Sequence, residues 1–213
     1  MAPRFSTYIG KDMAPLLPEL ARLCTVVFRE WPHLYDGDGA YDDDHLRALA
    51  ASPRGALIVA HDGVRPVGMS TCLPLADATA NVQAPFLTRG WPLSRYFYFA
   101  ESVLLPNWRG QGIGAAFFTM REAHVRAVSN CDVTCFCTIQ RPLAHPARPA
   151  DARPLDGFWR KLGYAPVPDL RCTMTWREIG GTADSDLSLL FWAKMLTPSP
   201  AGTGGIGRAN PTV

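Results

Sequence analysis

The sequence predicts one α/β (α+β) domain over residues 1–196, a mixed, mostly antiparallel central sheet of about seven strands flanked by about four helices. Three observations support this. Short apolar strand-like runs alternate with runs of helical periodicity, and hairpin signals dominate one half of the chain while strand–helix–strand units dominate the other. The chain has 213 residues and is 47% hydrophobic, enough to bury a core without covalent staples. Its six cysteines lie mostly inside apolar runs, so buried free thiols are expected rather than a disulfide framework.

The elements follow in order. Residues 4–10 (RFSTYIG) read as a short first strand. Leu16, Leu20, Leu23 and Val27 share one face of a first helix, with Pro32 near its end. Residues 42–53 form a shorter helix, capped by Asp43 or Asp44 and stopped before Pro53. Residues 55–63 and 65–73 are two strands joined at Asp62-Gly63, a hairpin turn. Residues 74–94 read as a loop of about twenty residues, a length that marks functional or disordered segments. Residues 95–105 (RYFYFAESVLL), aromatic and β-branched, are the strongest strand. A helix over 112–128 places Ile113, Phe117, Met120, His124 and Ala127 on one stripe. Residues 132–139 make a buried strand in which Cys135 and Cys137 share a face. A second loop, 140–155, carries four prolines and three arginines. A short helix over 156–164 ends at Gly163 in a left-handed cap. Residues 171–179 and 187–196 are a final strand pair, and 197–213 reads as a disordered tail.

A net charge of +2 gives no nucleic-acid footprint. The N-terminus lacks a signal-peptide core, and the longest apolar run, 187–196, is too short to cross a bilayer. A cytoplasmic protein without nucleic-acid or membrane partners is expected. Paired cysteine or histidine clusters at metal-ligand spacing are absent from the sequence, so no metal is expected.

The segment with chemical content is ESVLLPNWRGQGIGAAFF, residues 101–118. A strand ending in a glycine-rich turn that opens a helix is a general anion site, because unpaired amides and the positive end of the helix dipole face the ligand. Two nucleotide motifs fail on spacing. The phosphate loop of nucleotide hydrolases needs a lysine after its last glycine, and none lies between Lys11 and Lys161. The dinucleotide fingerprint needs G-x-G-x-x-G, whereas Gly110, Gly112 and Gly114 are one residue too tight. RGQGIG after VLLP instead resembles the R-x-x-G-x-G acetyl-CoA signature of GNAT-type N-acetyltransferases, with Arg109, Gly112 and Gly114 at its fixed positions. FWRKLGY (158–164) is similar to that family's short fourth helix, and the element order agrees with its fold over about residues 3–196. A bare strand–helix turn is the alternative, and two glycines would suffice for it.

The resemblance implies acetyl transfer from acetyl-CoA, as co-substrate, to a primary amine, with a small cationic amine expected. It implies that Arg109, Gly110, Gln111, Gly112, Ile113 and Gly114 form the pyrophosphate turn, with Ile113 anchoring the helix. Backbone groups of Val103, Leu104 and Leu105 would pair with the pantetheine arm, and Trp159 would lie beside the cofactor. Acetyl transfer needs a base for the ammonium proton, amides for the oxyanion and an acid for the thiolate. Glu101 is the candidate base. Strict alternation puts it on one face with Phe97, Phe99 and Val103, where desolvation raises a carboxyl pKa; a structural ion pair is the alternative. The family's helix tyrosine, its usual acid, corresponds to Trp159, which has no acidic proton. Tyr164 is the replacement candidate, with core packing as its alternative.

For the acceptor, Trp31, Tyr35, Asp36 and Tyr41 lie in an acidic, aromatic segment suited to a cationic amine through charge and cation–π contact; a solvated acidic loop is the plain alternative. The two long loops, with Phe86 and Trp91 in one and Gln140, Arg141 and His145 in the other, could form a lid, and Arg141 is a substrate-binding candidate. A covalent acetyl-cysteine route through Cys135 or Cys137 needs an accessible thiolate, which mid-strand burial disfavours. A non-catalytic acyl-CoA-binding module, a longer acyl donor and a homodimer stay open.

Overall fold

The computed structural model describes residues 3–37 and 44–196, so Tyr41, Asp43 and the 197–213 tail fall outside it. Seven strands, β1 (Arg4–Ile9), β2 (Ala56–Asp62), β3 (Arg65–Pro74), β4 (Tyr96–Leu104), β5 (Val133–Ile139), β6 (Ala165–Arg177) and β7 (Asp184–Met195), form one sheet. Their order is β1-β2-β3-β4-β5-β7-β6. All pairings are antiparallel except β4 with β5. The expected mixed, mostly antiparallel sheet is what the chain forms. Among the described residues, no helix is long and apolar enough to cross a membrane.

Five α-helices occur among the described residues: α1 (Leu17–Phe28), α2 (Asp44–Ala51), α3 (Ala80–Thr88), α4 (Ile113–Val128) and α5 (Asp156–Lys161). Strand alternation sorts the core into two layers. Leu57 and Val59 of β2 pack with Leu20 and Leu23 of α1, Leu46 of α2 and Phe86 of α3. Ala56, Ile58 and Ala60, pointing the other way, pack with Ile113, Phe117 and Val125 of α4, and α5 adds Phe158 and Trp159 there. The sheet is thus buried on both faces, which is why β2 reads as an unbroken apolar run.

Two expectations change. Residues 74–94 are not a loop, because α3 forms inside them. Its helical signal is faint: only Val82 and Phe86 turn inward, and Pro85 sits within the helix. Packing overrides propensity here, with the Phe86 ring edge-on to Tyr96 at 4.8 Å and to Phe191 at 4.9 Å. Phe86 and Trp91 therefore serve the core rather than a lid. On α4, Ala127 is exposed and Met120 only half-buried, while Phe118, Arg121, Glu122 and Val125 are buried with Ile113, Phe117 and His124. A stripe drawn through apolar letters alone misses the two charged residues on the buried face.

Strand β4 carries an irregularity that decides what points where. Ser70 pairs with Ser102 and Cys72 with Phe99, so Ala100 and Glu101 together oppose Thr71. This β-bulge reverses the alternation. Phe97 and Phe99 lie in the layer under α4, but Val103 lies with Tyr96 and Tyr98 in the layer under α1. The single face expected for Phe97, Phe99, Glu101 and Val103 does not exist. Glu101, two residues from Val103, takes the α1 side.

Phe86→Ala removes the anchor of α3 and leaves a cavity at a position only 1% exposed. It is expected to cost about 3–5 kcal/mol of unfolding free energy, measured by chemical denaturation, with the denaturant slope unchanged.

Candidate active site

The parallel pairing of β4 with β5 stops at Tyr98↔Cys135. Beyond it β4 stays paired to β3 as far as Leu104, and β5 to β7 as far as Ile139. The two strands therefore diverge, and a groove of about 2270 Å³ opens along their C-terminal halves. Single small-molecule pockets reach about 1,000 Å³, so this groove has room for two reactants. Its walls include Glu101, Val103 and Leu104 of β4, Phe136 and Cys137 of β5, and Gly110, Gly112 and Gly114 of the turn.

The glycine turn sits at the outer end of β4. Gly112 is the N-cap of α4 with φ of 83°, and Gly110 has φ of 75°, both in the left-handed region that side chains resist. A Cβ at either would meet nothing within 4 Å, so the glycines serve the backbone path and leave open space beside it. Ile113 is 2% exposed and anchors the first turn of α4 in the core. The first bond within α4 runs from the Ala116 amide to the Gly112 carbonyl, leaving the earlier helix amides without an intrahelical acceptor. Gln111 is exposed and donates from Nε2 to the Asn107 carbonyl. The Leu105 amide donates to the Val67 carbonyl, continuing the β3 edge. Arg109 acts as a brace: Nε donates to the Leu104 carbonyl at 3.1 Å, and Nη1 pairs with Glu30 Oε2 at 2.7 Å. Glu30, which sequence reasoning missed, ties the exit of α1 to the turn; nothing in the sequence marks a partner 79 residues away.

Glu101 lies at the bulge near the apex of the groove and is 8% exposed. Its amide donates to Thr71 Oγ1 at 2.9 Å, holding the bulge. Trp159 lines the groove from α5, its ring 5.2 Å from Phe136 and 5.1 Å from Trp192. Tyr164 stands in the core instead. Its hydroxyl donates to Glu122 Oε1 at 3.1 Å and meets Thr134 Oγ1 at 2.9 Å, and burial pushes its pKa far up. A phenol held this way keeps its proton, so the packing alternative describes Tyr164 better than an acid role.

The thiols are similarly inert. Cys135 is buried, and desolvation raises its pKa. Cys137 reaches the groove wall, 3.2 Å from Tyr98 Oη and 3.7 Å from Cys172 Sγ. The Cys172 contact and burial hold it well above the usual thiol range. Neither is a thiolate nucleophile near neutral pH.

On the α1 side the groove is walled by Trp31, Pro32, His33, Tyr35 and Asp36. Arg141 fastens this segment: Nε donates to the Pro32 carbonyl at 2.8 Å, Nη2 to the His33 carbonyl at 3.1 Å, and the guanidinium pairs with Glu178. With its donors so engaged and its side chain 7% exposed, Arg141 is a clamp on the wall rather than a free hand for substrate. Trp176 Nε1 also donates to the His33 carbonyl. Asp36 pairs with Arg29 at 2.9 Å and Arg177 at 3.9 Å. From the 140–155 loop, His145 reaches Trp31 with ring centroids 5.2 Å apart, so this loop does close on the α1 side of the groove.

A seven-stranded mixed sheet split at its centre, with a glycine turn feeding a helix beside the split, is the GNAT acetyltransferase fold. Solved structures that share it include an assigned GNAT-family acetyltransferase from Desulfovibrio desulfuricans, at 14% identity and a TM-score of 0.53, covering 91% of this chain and 99% of that one. An aminoglycoside 6'-N-acetyltransferase complexed with coenzyme A aligns at 18% identity and 0.53, over 92% and 99%. Arabidopsis thaliana NAA60, in complex with a bisubstrate analogue, aligns at 12% and 0.56, over 91% and 100%. No protein-family model and no curated protein matches the sequence.

The clamp has a pH signature. The His33 ring stacks on Phe28 at 4.3 Å, and burial, then the Arg141 charge, push its pKa down to about 4. The folded value lies below the unfolded value of about 6.5, so the folded protein binds fewer protons between them. Stability from neutral His33 is therefore complete above about pH 6.5 and declines as pH falls towards 4. Over pH 7 to 4 the melting temperature of wild type should fall relative to that of His33→Phe; a constant difference would contradict this.

Proposed function

We propose that this protein is an N-acetyltransferase that moves an acetyl group from acetyl-CoA to a primary amine, by direct attack within a ternary complex. The observation that carries the reading is the divergence of β4 and β5 directly behind the glycine turn, with a buried carboxylate at the point of divergence. Amides from Gly110 to Gly114 would receive the pyrophosphate at the positive end of α4. The groove-side edge of β4 past Tyr98, which β5 leaves unpaired, offers backbone groups to the amide-bearing pantetheine arm as a neighbouring strand would. The coenzyme A and bisubstrate complexes among proteins of this fold support that assignment.

The chemistry follows from protonation. A lysine-like amine has a pKa of about 10.4, so only about one molecule in a thousand is a free nucleophile at pH 7. Glu101 would take that proton, directly or through a water, from an acceptor entering on the α1 side. Strand amides at the apex would hold the oxyanion. The raised pKa values of Cys135, from burial, and of Cys137, from its Cys172 contact first, favour direct attack over an acetyl-cysteine intermediate. On the acceptor side, Glu30, Asp36 and Asp44 are each paired to arginine, to Arg109, Arg29 and Arg47. Aromatic surface from Phe28, Trp31 and Trp176 is then the main recognition element, suited to a small cationic amine through cation–π contact.

Trp159 in place of a helix tyrosine favours one other reading, an acyl-CoA-binding module without transfer activity. Free-thiol release from acetyl-CoA over a panel of amines separates the two. Transfer to at least one amine is expected; tight CoA binding with no release on any acceptor would favour the binding module. Glu101→Gln should lower kcat at neutral pH by about 10²–10⁴-fold and leave CoA affinity unchanged. An unaltered rate removes Glu101 from the mechanism.

A further inference from the structure

We infer that the buried guanidinium of Arg121 is the electrostatic partner of the departing CoA thiolate, supplying the leaving-group stabilisation that Trp159 and Tyr164 do not provide. The inference rests on reading the groove as an acetyl-CoA site. Arg121 lies on the buried face of α4, four residues from both Phe117 and Val125. It is 1% exposed yet contributes to the groove lining. Its guanidinium carbon lies 4.2 Å from the centre of the Phe99 ring and 4.6 Å from that of Phe118.

Glu122 and Glu101 act on the Arg121 charge through space, but among the described residues no carboxylate forms an ion pair with it. Its two hydrogen bonds, Nε to the Phe117 carbonyl and Nη1 to the Thr71 carbonyl, are both 3.4 Å, beyond the usual range. Nη2 has no partner among the described residues. Glu122, the adjacent carboxylate on α4, is committed to Lys194 at 2.8 and 2.9 Å and to Tyr164. Burial lowers the Arg121 pKa to about 10, which still leaves it cationic at neutral pH. A buried cation with weak partners carries a large desolvation cost, and a chain has no reason to place one among phenylalanines for stability alone.

Lengths determine what would lie next to it. The pantetheine arm has about twelve backbone bonds, equal to about four extended residues or ~14 Å. Running from the glycine turn along β4, it ends near Ala100 and Phe99, since Leu104 to Phe99 spans ~17 Å. Helix α4 runs back beneath the same stretch, and Ile113 to Arg121 spans ~12 Å. The thiol end and the guanidinium thus meet at Phe99. Glu101 lies towards the α1 side of the sheet and Arg121 on the α4 side, so proton removal and leaving-group stabilisation act from opposite faces. In the step itself the amine nitrogen forms a bond to the thioester carbon, and the carbonyl electron pair moves to oxygen. When that pair returns, the carbon–sulfur bond breaks and sulfur leaves with its electrons. One ammonium proton goes to Glu101 before attack, a second leaves the nitrogen of the tetrahedral adduct for solvent, and the thiolate afterwards takes one from solvent.

The test reads the thiol of bound CoA and requires no turnover. Ultraviolet thiolate absorbance of the full-length protein saturated with CoA is titrated against pH. The bound thiol should ionise at least one unit below free CoA, about a tenfold larger thiolate fraction at a given pH below both values. Arg121→Met, close in volume and uncharged, should abolish the shift with CoA affinity within about threefold, since the phosphate and arm contacts lie elsewhere. An unshifted thiol in the wild type, or a shift that survives Arg121→Met, overturns the inference. Should that variant not fold, wild-type calorimetry with CoA and S-methyl-CoA decides: the affinity ratio should rise in favour of CoA as pH rises, and a constant ratio overturns the inference. Absence of CoA binding altogether defeats the acetyl-CoA reading itself, a result distinct from bound CoA with an ordinary thiol.

Discussion

Everything chemical in this protein depends on a pairing that stops. Parallel strands β4 and β5 share three residue pairs and then part after Tyr98 and Cys135. Each keeps its other neighbour, so neither frays. Breaking a sheet at its centre leaves backbone donors and acceptors without strand partners, which is costly unless water or a ligand satisfies them. The layers of apolar side chains on both faces hold the two halves open as rigid walls, and ligand groups with the hydrogen-bonding pattern of a strand can occupy the gap.

The bulge at Ala100 and Glu101 makes the split useful. Without it, Glu101 would point with Phe97 and Phe99 into the layer under α4, where Arg121 already stands. With it, the carboxylate turns to the α1 side, from which the proposed acceptor would enter. Thr71 holds both features, accepting the Glu101 amide through its hydroxyl and the Arg121 guanidinium through its carbonyl. One residue of β3 thus links two opposite charges on opposite faces of the sheet, and the register shift is part of the site.

Legibility from sequence followed the range of the interaction. The strands, α4 and the short α5 announced themselves through local periodicity and turn residues, and Gly110 and Gly112 through their spacing between a strand and a helix. The α3 helix did not, because Pro85 weakens its local signal and Phe86 is held by Tyr96 and Phe191, one from each side of the split. The direction of Glu101 was hidden for a related reason: a bulge is a mismatch between two strands, and neither strand read alone marks it. Arg141 looked like a substrate residue because an arginine in a proline-rich loop is ordinarily exposed. Only the tertiary structure brings the Pro32 and His33 carbonyls and Glu178 to it.

The two buried arginines differ in a way that separates structure from chemistry. Arg141 has two good carbonyl acceptors and a carboxylate, and its charge is neutralised where it sits; its role ends in fastening the wall of the groove. Arg121 has two long hydrogen bonds, two aromatic faces and a nitrogen without a partner among the described residues. Both are almost fully buried, so burial alone does not distinguish them. The balance of charge does. A site that must stabilise an anion for only part of a reaction cycle cannot neutralise its cation permanently, because a carboxylate already bound there would cancel the field the anion needs. The incomplete compensation of Arg121 is therefore the physical form that a transient role takes, just as the complete compensation of Arg141 is the form of a permanent one.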